Sequence, residues 1–176
     1  MNIDYIRTII DHNYTRHRQL WDSVMTLTDE QYVQPVDYSL GSVRNHMVHL
    51  ASVDQRWISR INGVSTSDAP TVPDRLRFEA FPTRQSARQK WDEVENRVIQ
   101  TVMDLDDEAL DRVIQFEVRR DSGVTIQARN TVWQILAHIV NHGTDHRAQV
   151  LAILHQMGAP TFEQDLMIYL WDNQDN

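Results

Sequence analysis

Hydrophobic residues recur at intervals of three and four along four long segments of the chain, which is the pattern of amphipathic α-helices. The first segment covers residues 3–27. The second is predicted to begin after Ser42, a residue type that favours the N-cap position, and to end at Gly63. The third is predicted to start near Thr83 and to end at the acidic stretch around residues 104–110.

The fourth helical segment is predicted to begin after Thr131 and to end before Gly158, which suits the left-handed position that follows a helix. Before it, residues 112–129 contain two β-prone runs around Asp-Ser-Gly, which predict a small hairpin. Residues 63–82 are rich in proline and predict a long crossover between the second and third helices. The pattern predicts an all-α fold, a four-helix bundle with a small β-hairpin before the last long helix.

The segment after the fourth helix is too apolar to be free in solvent. We expect its large side chains to pack back on the bundle, namely Phe162, Leu166, Tyr169, Leu170 and Trp171. The 176 residues are about the size of one domain, so residues 1–176 are predicted to form a single domain.

The composition excludes several classes of function. The chain has 17 Lys and Arg against 25 Asp and Glu, a formal charge of −8, and no basic run, so nucleic acids and anionic membranes are not expected partners. The chain has no cysteine, which excludes disulfides and thiolate chemistry. The sequence also shows neither a secretory signal nor an apolar run of membrane-spanning length, and we expect a cytoplasmic protein.

Three histidines, His138, His142 and His146, follow one another at a spacing of four in the fourth helix, so their rings lie along one edge. Because nearby isoleucines share that edge, it is predicted to face the interior, where imidazole nitrogens need partners. Two histidines at such a spacing can bind one metal ion, and a third ligand can come from His46 or His49 in the second helix. Spacing alone does not choose between the pairs His138/His142 and His142/His146, or between His46 and His49.

The remaining histidines, His12, His17 and His155, have no partner at useful spacing and are predicted to be ordinary core or surface residues. Gly143 lies inside the fourth helix, where glycine is unfavourable, and it predicts space for a substrate or a close helix contact. The sequence lacks Glu-x-x-His pairs and His-Glu-x-x-His, which excludes ferritin-like di-iron sites and zincin proteases. It also lacks a phosphate-binding glycine loop and the Gly-x-Ser-x-Gly motif.

The stretches SVRNHMVHLASVDQRW, FPTR, DSG, ILAHIVNHGTDHRAQV and PTFEQDLMIYLW together resemble the DinB/YfiT-like superfamily of metal-dependent enzymes, over almost the entire chain. The resemblance implies an up-down-down-up helix order and a mononuclear site whose ligands fall on His49, His142 and His146. It leaves His138, His46 and Asp145 as neighbours that support the ligands or face the substrate. Many relatives have a histidine where this chain has Asp145.

Three protein ligands leave an open position on the ion, as in catalytic rather than structural metal sites. The resemblance therefore implies a hydrolase or a transferase that uses a low-molecular-weight thiol, with a divalent ion such as zinc, nickel or iron and a small-molecule substrate. Arg147 and Gln149 are candidates for orienting the substrate, although Arg147 is expected to point away from the histidines into a surface salt bridge. The alternative is a non-catalytic binding or stress-response module with a structural metal, and in either case a homodimer is expected.

Overall fold

The computed structural model describes residues 2–63, 75–119 and 122–174. In these ranges the chain forms mainly helices and one two-stranded sheet. The long helices are α1 (Ile3–Val24), α3 (Val43–Ile61), α4 (Arg84–Met103) and α6 (Val132–Gln156). The short elements are α2 (Asp29–Val33), a 3-10 turn (Phe78–Ala80), α5 (Asp107–Leu110), β1 (Val113–Arg119), β2 (Thr125–Thr131) and α7 (Leu166–Asp172).

The helix boundaries follow from side chains that bind the free N–H groups of each first turn. The Ser42 hydroxyl accepts from the N–H of Asn45, and the Thr83 hydroxyl accepts from the N–H of Ser86, as predicted for both caps. After α6, Gly158 has φ +73°, the left-handed conformation expected at this position. The predicted starts of α3 and α4 and the stop signal after α6 are therefore confirmed.

The four long helices pack in the predicted up-down-down-up order. Arg18 of α1 binds Glu95 in the middle of α4, whereas Arg7 binds the carbonyl of Leu105 just beyond the end of α4, so these two helices are antiparallel. Helix α3 runs parallel to α4, since Asn62 after its end binds Thr101 near the end of α4.

Helices α3 and α6 are antiparallel, as three pairs of facing residues show. His46 lies against His146, His49 against His142, and Trp57 against His138. The two helices therefore share a long seam, and the buried aliphatic and aromatic side chains of all four helices form one core behind it.

The β-hairpin is joined directly to the histidine helix. Strands β1 and β2 pair in antiparallel register from Val113 with Thr131 to Arg119 with Thr125. Thr131 is both the last residue of β2 and the N-cap of α6, and Gln134 accepts a hydrogen bond from its N–H at 3.0 Å. The N–H of Val132 donates to the carbonyl of Arg112, which fixes the first turn of α6 to the start of the hairpin.

Two expectations need correction. The first helix ends at Val24 rather than near residue 27, because the N–H groups of Thr26 and Leu27 bind carbonyls three residues earlier and tighten the chain into a turn. In the last segment only part of the expected packing occurs: Tyr169 is buried, while Leu166 and Trp171 are exposed at 37% and 59%.

Most of the predicted crossover, residues 64–74, lies outside the described residues. None of the described helices combines the length and the hydropathy needed to cross a lipid bilayer.

Candidate metal centre

Three histidine rings from two helices meet in the middle of the α3–α6 seam. His142 and His146 lie one turn apart on α6, and His49 faces them from α3. Each contributes one ring nitrogen to a set whose members all lie within 4.8 Å of one another. No other histidine, aspartate or glutamate of the described residues belongs to this set.

The contact between His49 and His142 fits a shared metal ion. The Nε2 atoms of His49 and His142 are 3.1 Å apart. Two ligands at ~2.1 Å from one tetrahedral ion have nitrogens ~3.4 Å apart, so only a small adjustment separates this geometry from coordination. All three side chains are half-buried, which leaves the set accessible on one side.

The surroundings keep these rings in the neutral form that binds metals. Burial, followed by the neighbouring His146 and the Arg75 side chain, lowers the pKa of His49 to about 4. Burial, followed by the facing imidazoles, lowers the pKa of His142 to about 3. The pKa of His146 is also lowered by burial, against the opposing effect of Asp145. At neutral pH each ring therefore offers a lone pair without first losing a proton.

His46 and Asp145 lie beside His146 and are not members of the three-nitrogen set. The Nδ1 atoms of His46 and His146 are 3.3 Å apart, and the Leu40 N–H points at the other nitrogen of His46 at 3.4 Å. Asp145 accepts from the Gln149 amide at 3.1 Å, and Gln149 accepts from the hydroxyl of Ser39. The loop before α3 is thus tied to α6 next to His146, which is how His46, Asp145 and Gln149 can support the site.

His138 lies one turn beyond the set, towards the hairpin. Its ring centroid is 5.5 Å from that of His142 and 5.3 Å from that of Trp57 on α3. Trp57 in turn contacts Phe116 of β1 edge to face. His138 therefore forms part of the wall of the seam and is not a member of the nitrogen set.

The opposite face of α6 packs so closely on α1 that only glycine fits at position 143. A Cβ atom there would lie 2.5 Å from Oδ1 of Asn13 and 3.0 Å from Nε2 of His17. Gly143 was predicted to leave space either for a substrate or for a close helix contact, and on this face the close helix contact is confirmed. The residue after His142 thus fixes how near α6 lies to α1.

Arg147 occupies the same interface and differs from expectation. It points away from the histidines, as predicted, but it is fully buried and forms no surface salt bridge. Its guanidinium donates to Asn13, to Gln164 and to Thr144, and one terminal nitrogen lies 3.0 Å from Nε2 of His17. Helical periodicity places Arg147 off the histidine edge, but it does not show that another helix covers that side.

A buried carboxyl lies in the same interior. Tyr14 of α1 donates to Oδ2 of Asp54 on α3 at 2.7 Å, and Oδ1 of Asp54 has no hydrogen-bond partner among the described residues. Burial raises the pKa of Asp54 to about 7, against the opposing effects of the Tyr14 hydrogen bond and of Arg147. No pattern in the sequence indicated this residue, because an aspartate inside an amphipathic helix is usually exposed.

The other histidines stay outside the site. His12 is buried with its ring 5.0 Å from that of Tyr169, His17 is buried beside Arg147, and His155 is exposed. Their assignment as core or surface residues is therefore right, although His17 has a partner that its spacing in the sequence could not indicate.

Comparisons with known proteins agree with this fold. The whole chain, residues 1–176, matches the sequence model of the DinB family. Protein DinB of Bacillus subtilis (strain 168) is 25% identical over 173 residues, which cover 96% of this chain and 95% of that protein. The crystal structure of a DinB-like protein from Bacillus cereus ATCC 10987 superposes with a TM-score of 0.53 at 17% identity, covering 82% of this chain and 88% of the other. The chain belongs to the DinB family.

Proposed function

We propose that the protein is an enzyme that binds one divalent metal ion through His49, His142 and His146. The observation that carries this proposal is the convergence of three neutral ring nitrogens, within 4.8 Å of one another, from two helices. Imidazole ligands suit zinc, nickel and iron.

The donor set also supports catalysis over a purely structural role. Structural zinc sites are closed by four protein ligands, whereas catalytic sites keep a position open. The described residues supply three donors, and the half-buried rings leave a side of the set open to a small molecule. A bound ion would supply Lewis-acid chemistry, by polarising a substrate oxygen or by activating a thiol or water. We therefore propose a hydrolase or a transferase that uses a low-molecular-weight thiol, acting on a small electrophile.

The surrounding residues have separate roles in this proposal. His49, His142 and His146 hold the ion, and His46 orients the ring of His146 through the 3.3 Å contact between their Nδ1 atoms. Asp145 precedes the same ligand in the chain and accepts a hydrogen bond from Gln149. Its carboxylate would accept a proton from a group bound at the open position. His138 and Trp57 form the wall along which a substrate would lie.

Metal analysis of protein purified without a histidine tag tests the first part. We expect about one divalent ion per chain in the wild type, loss of that ion in His142→Ala, and retention in His138→Ala, which removes a neighbouring histidine outside the set. The variants are then compared for turnover of thiols with small electrophiles and of ester and amide substrates. Equal metal content in wild type and His142→Ala would overturn the proposed site.

A chelator melt separates catalysis from the alternative of a non-catalytic module. A structural ion contributes folding free energy, so its removal would lower Tm strongly, whereas a catalytic ion can leave a folded protein behind. We expect a small change of Tm, because each helix already packs on two others without the ion. A large loss of Tm together with no turnover would favour the structural-metal module.

We also propose that the protein forms a homodimer. Its support is the exposed apolar surface of α7, where Leu166, Met167 and Trp171 remain uncovered by the described residues of the chain. Light scattering after size-exclusion chromatography measures the mass. A monomer at micromolar concentration would contradict this part of the proposal without affecting the metal site.

A further inference from the structure

Arg60 is a buried cation without a polar partner at the hairpin end of the α3–α6 seam. Its side chain is 7% exposed, its Nε atom is buried without a hydrogen bond, and no carboxylate of the described residues lies within ion-pair distance. Arg147 is also buried, but its guanidinium nitrogens are bound by four residues. A buried charge is normally paired, so the contrast needs an explanation.

Aromatic rings hold the Arg60 guanidinium in place without using its N–H groups. Its central carbon lies 4.6 Å from the ring centroid of Trp57 and 4.8 Å from that of Phe116, and the two rings are nearly perpendicular at 83°. Such cation–π contacts offset part of the desolvation cost. They leave the N–H donors of the two terminal nitrogens free to bind a carboxylate or phosphate.

The position of Arg60 relates it to the metal centre. Eleven residues separate it from His49 on α3, a spacing that returns to nearly the same face of the helix, ~16 Å further along the axis. Side chains on a helix lean towards its N-terminus, and the Arg60 contact with Trp57 shows this direction. His49 leans in the same direction, and the contacts from Arg60 through Trp57 and His138 to His142 place the guanidinium ~10–15 Å from the three-nitrogen set.

The residues between the two points form a continuous wall. Trp57 contacts Arg60 on one side and His138 on the other, and His138 contacts His142. Arg56 lies on the same face one turn closer to the metal set, and together with burial it lowers the pKa of Arg60 to about 10. Arg60 therefore places a cation at this end of the seam, in a chain whose formal charge is −8.

We infer that Arg60 is the anion-binding residue of the substrate site. The inference rests on the proposed metal-dependent function. The substrate is a small molecule that carries a carboxylate or another oxyanion ~10–15 Å from its reacting atom, with an apolar middle that packs along Trp57 and His138. The reacting end lies at the three histidines, and Arg60 selects substrates by length and charge.

Binding measurements with thiol ligands of increasing length test this inference without an activity assay. Cobalt-loaded protein is titrated with ω-mercaptoalkanoates of increasing length and with the matched ω-mercaptoalcohols, following the cobalt absorption spectrum. We expect the acids to bind about tenfold more tightly than the alcohols at one intermediate length, and equally at short lengths that cannot reach Arg60. Mercaptoalkyl phosphonates in the same series show whether a carboxylate or a phosphate-like group is preferred.

Variants then assign the effect to one residue. Arg60→Met should lose the preference for acids while keeping the affinity for alcohols, and Arg60→Lys should keep part of it. Arg97→Met, which removes an exposed arginine of α4, is the control and should retain the length optimum, and Arg56→Met tests the neighbouring cation on the same face. Loss of the optimum in Arg56→Met but not in Arg60→Met would overturn the assignment.

The wild-type series is decisive even where a variant does not fold. Binding of the alcohols without any advantage for the acids at any length would overturn the role of Arg60 and leave the metal site standing. Absence of cobalt binding would overturn the proposed function and this inference together, whereas cobalt binding without any thiol response would overturn the inference and leave the hydrolase as the proposed function.

Discussion

Gly143 of α6 and Asn13 of α1 touch so closely that a single added carbon at position 143 would lie 2.5 Å from the Asn13 side-chain oxygen. That oxygen is fixed, because Arg147 donates to it at 2.5 Å in a buried environment. The histidine helix is therefore held at a set distance from α1, immediately beside the residue that contributes Nε2 to the nitrogen set.

Gly143→Ala should destabilise the protein although alanine is the better helix former. The gain in helix propensity is about 1 kcal/mol and the overpacking against Asn13 and His17 should cost about 1–3 kcal/mol, so we expect a net loss of up to about 2 kcal/mol. Urea unfolding of the metal-free protein measures the difference. Asn141→Ala, at an exposed neighbouring position, is the control; a stabilised Gly143→Ala variant would show that α1 and α6 separate freely.

Arg147→Met should lower the free energy of unfolding by about 3 kcal/mol, because it leaves Asn13 and Gln164 without their buried donor. Lys90→Met, which removes a partly exposed ion pair with Glu93, should cost about 0.5 kcal/mol or less. Chemical denaturation of both variants at one pH makes the comparison. Similar small losses in the two would mean that the Arg147 network contributes no more than a surface pair.

Asp54→Asn should change how stability depends on pH. Burial raises the pKa of Asp54 to about 7, so between its ordinary value near 3.8 and 7 the folded state binds more protons than the unfolded state. The contribution of Asp54 to stability is therefore fully present below that window and is lost as the pH rises through it, by up to about 1.4 kcal/mol per pH unit.

Asparagine can still accept the hydrogen bond of Tyr14 but does not titrate. We therefore expect Asp54→Asn to gain stability relative to wild type as the pH rises from 4 to 7, and the difference to stay constant above that range. Denaturation curves at a series of pH values test this. A difference that is independent of pH would show that Asp54 titrates alike in both states.

His46→Phe should weaken metal binding about 10–100-fold while leaving the helices intact, because the ring of His146 loses its neighbouring nitrogen. Competition with a chromophoric chelator measures the affinity, and circular dichroism checks the fold. His155→Phe, at an exposed position on the same helix as His146, is the control. Unchanged affinity in His46→Phe would restrict His46 to a packing role.

The sequence predicted the parts of this protein that depend on local rules. Ser42, Thr83 and Gly158 mark helix ends because their side chains or backbone conformations act within a turn. The spacing of His142 and His146 places both rings on one edge for the same reason. The resemblance then selected His49 over His46, which periodicity alone had left open.

What the sequence missed depends on contacts between distant segments. Arg147 is buried because Asn13, more than 100 residues away, is close enough to accept its hydrogen bond. The packing of Asp54 against Tyr14 and of Arg60 against Phe116 likewise joins separate elements. An amphipathic pattern shows which face of one helix is apolar, but it does not show which charged residue another helix will cover.

The β-hairpin ends at the N-cap of α6, and this junction limits where residues can be inserted into the chain. Because Thr131 belongs to both elements, inserting one residue there would turn α6 by ~100° about its axis and carry His142 and His146 out of the seam. An insertion beside Gly123, at the far tip of the hairpin, leaves that angle unchanged. Related chains should therefore vary in length at the tip and stay constant at the strand–helix junction.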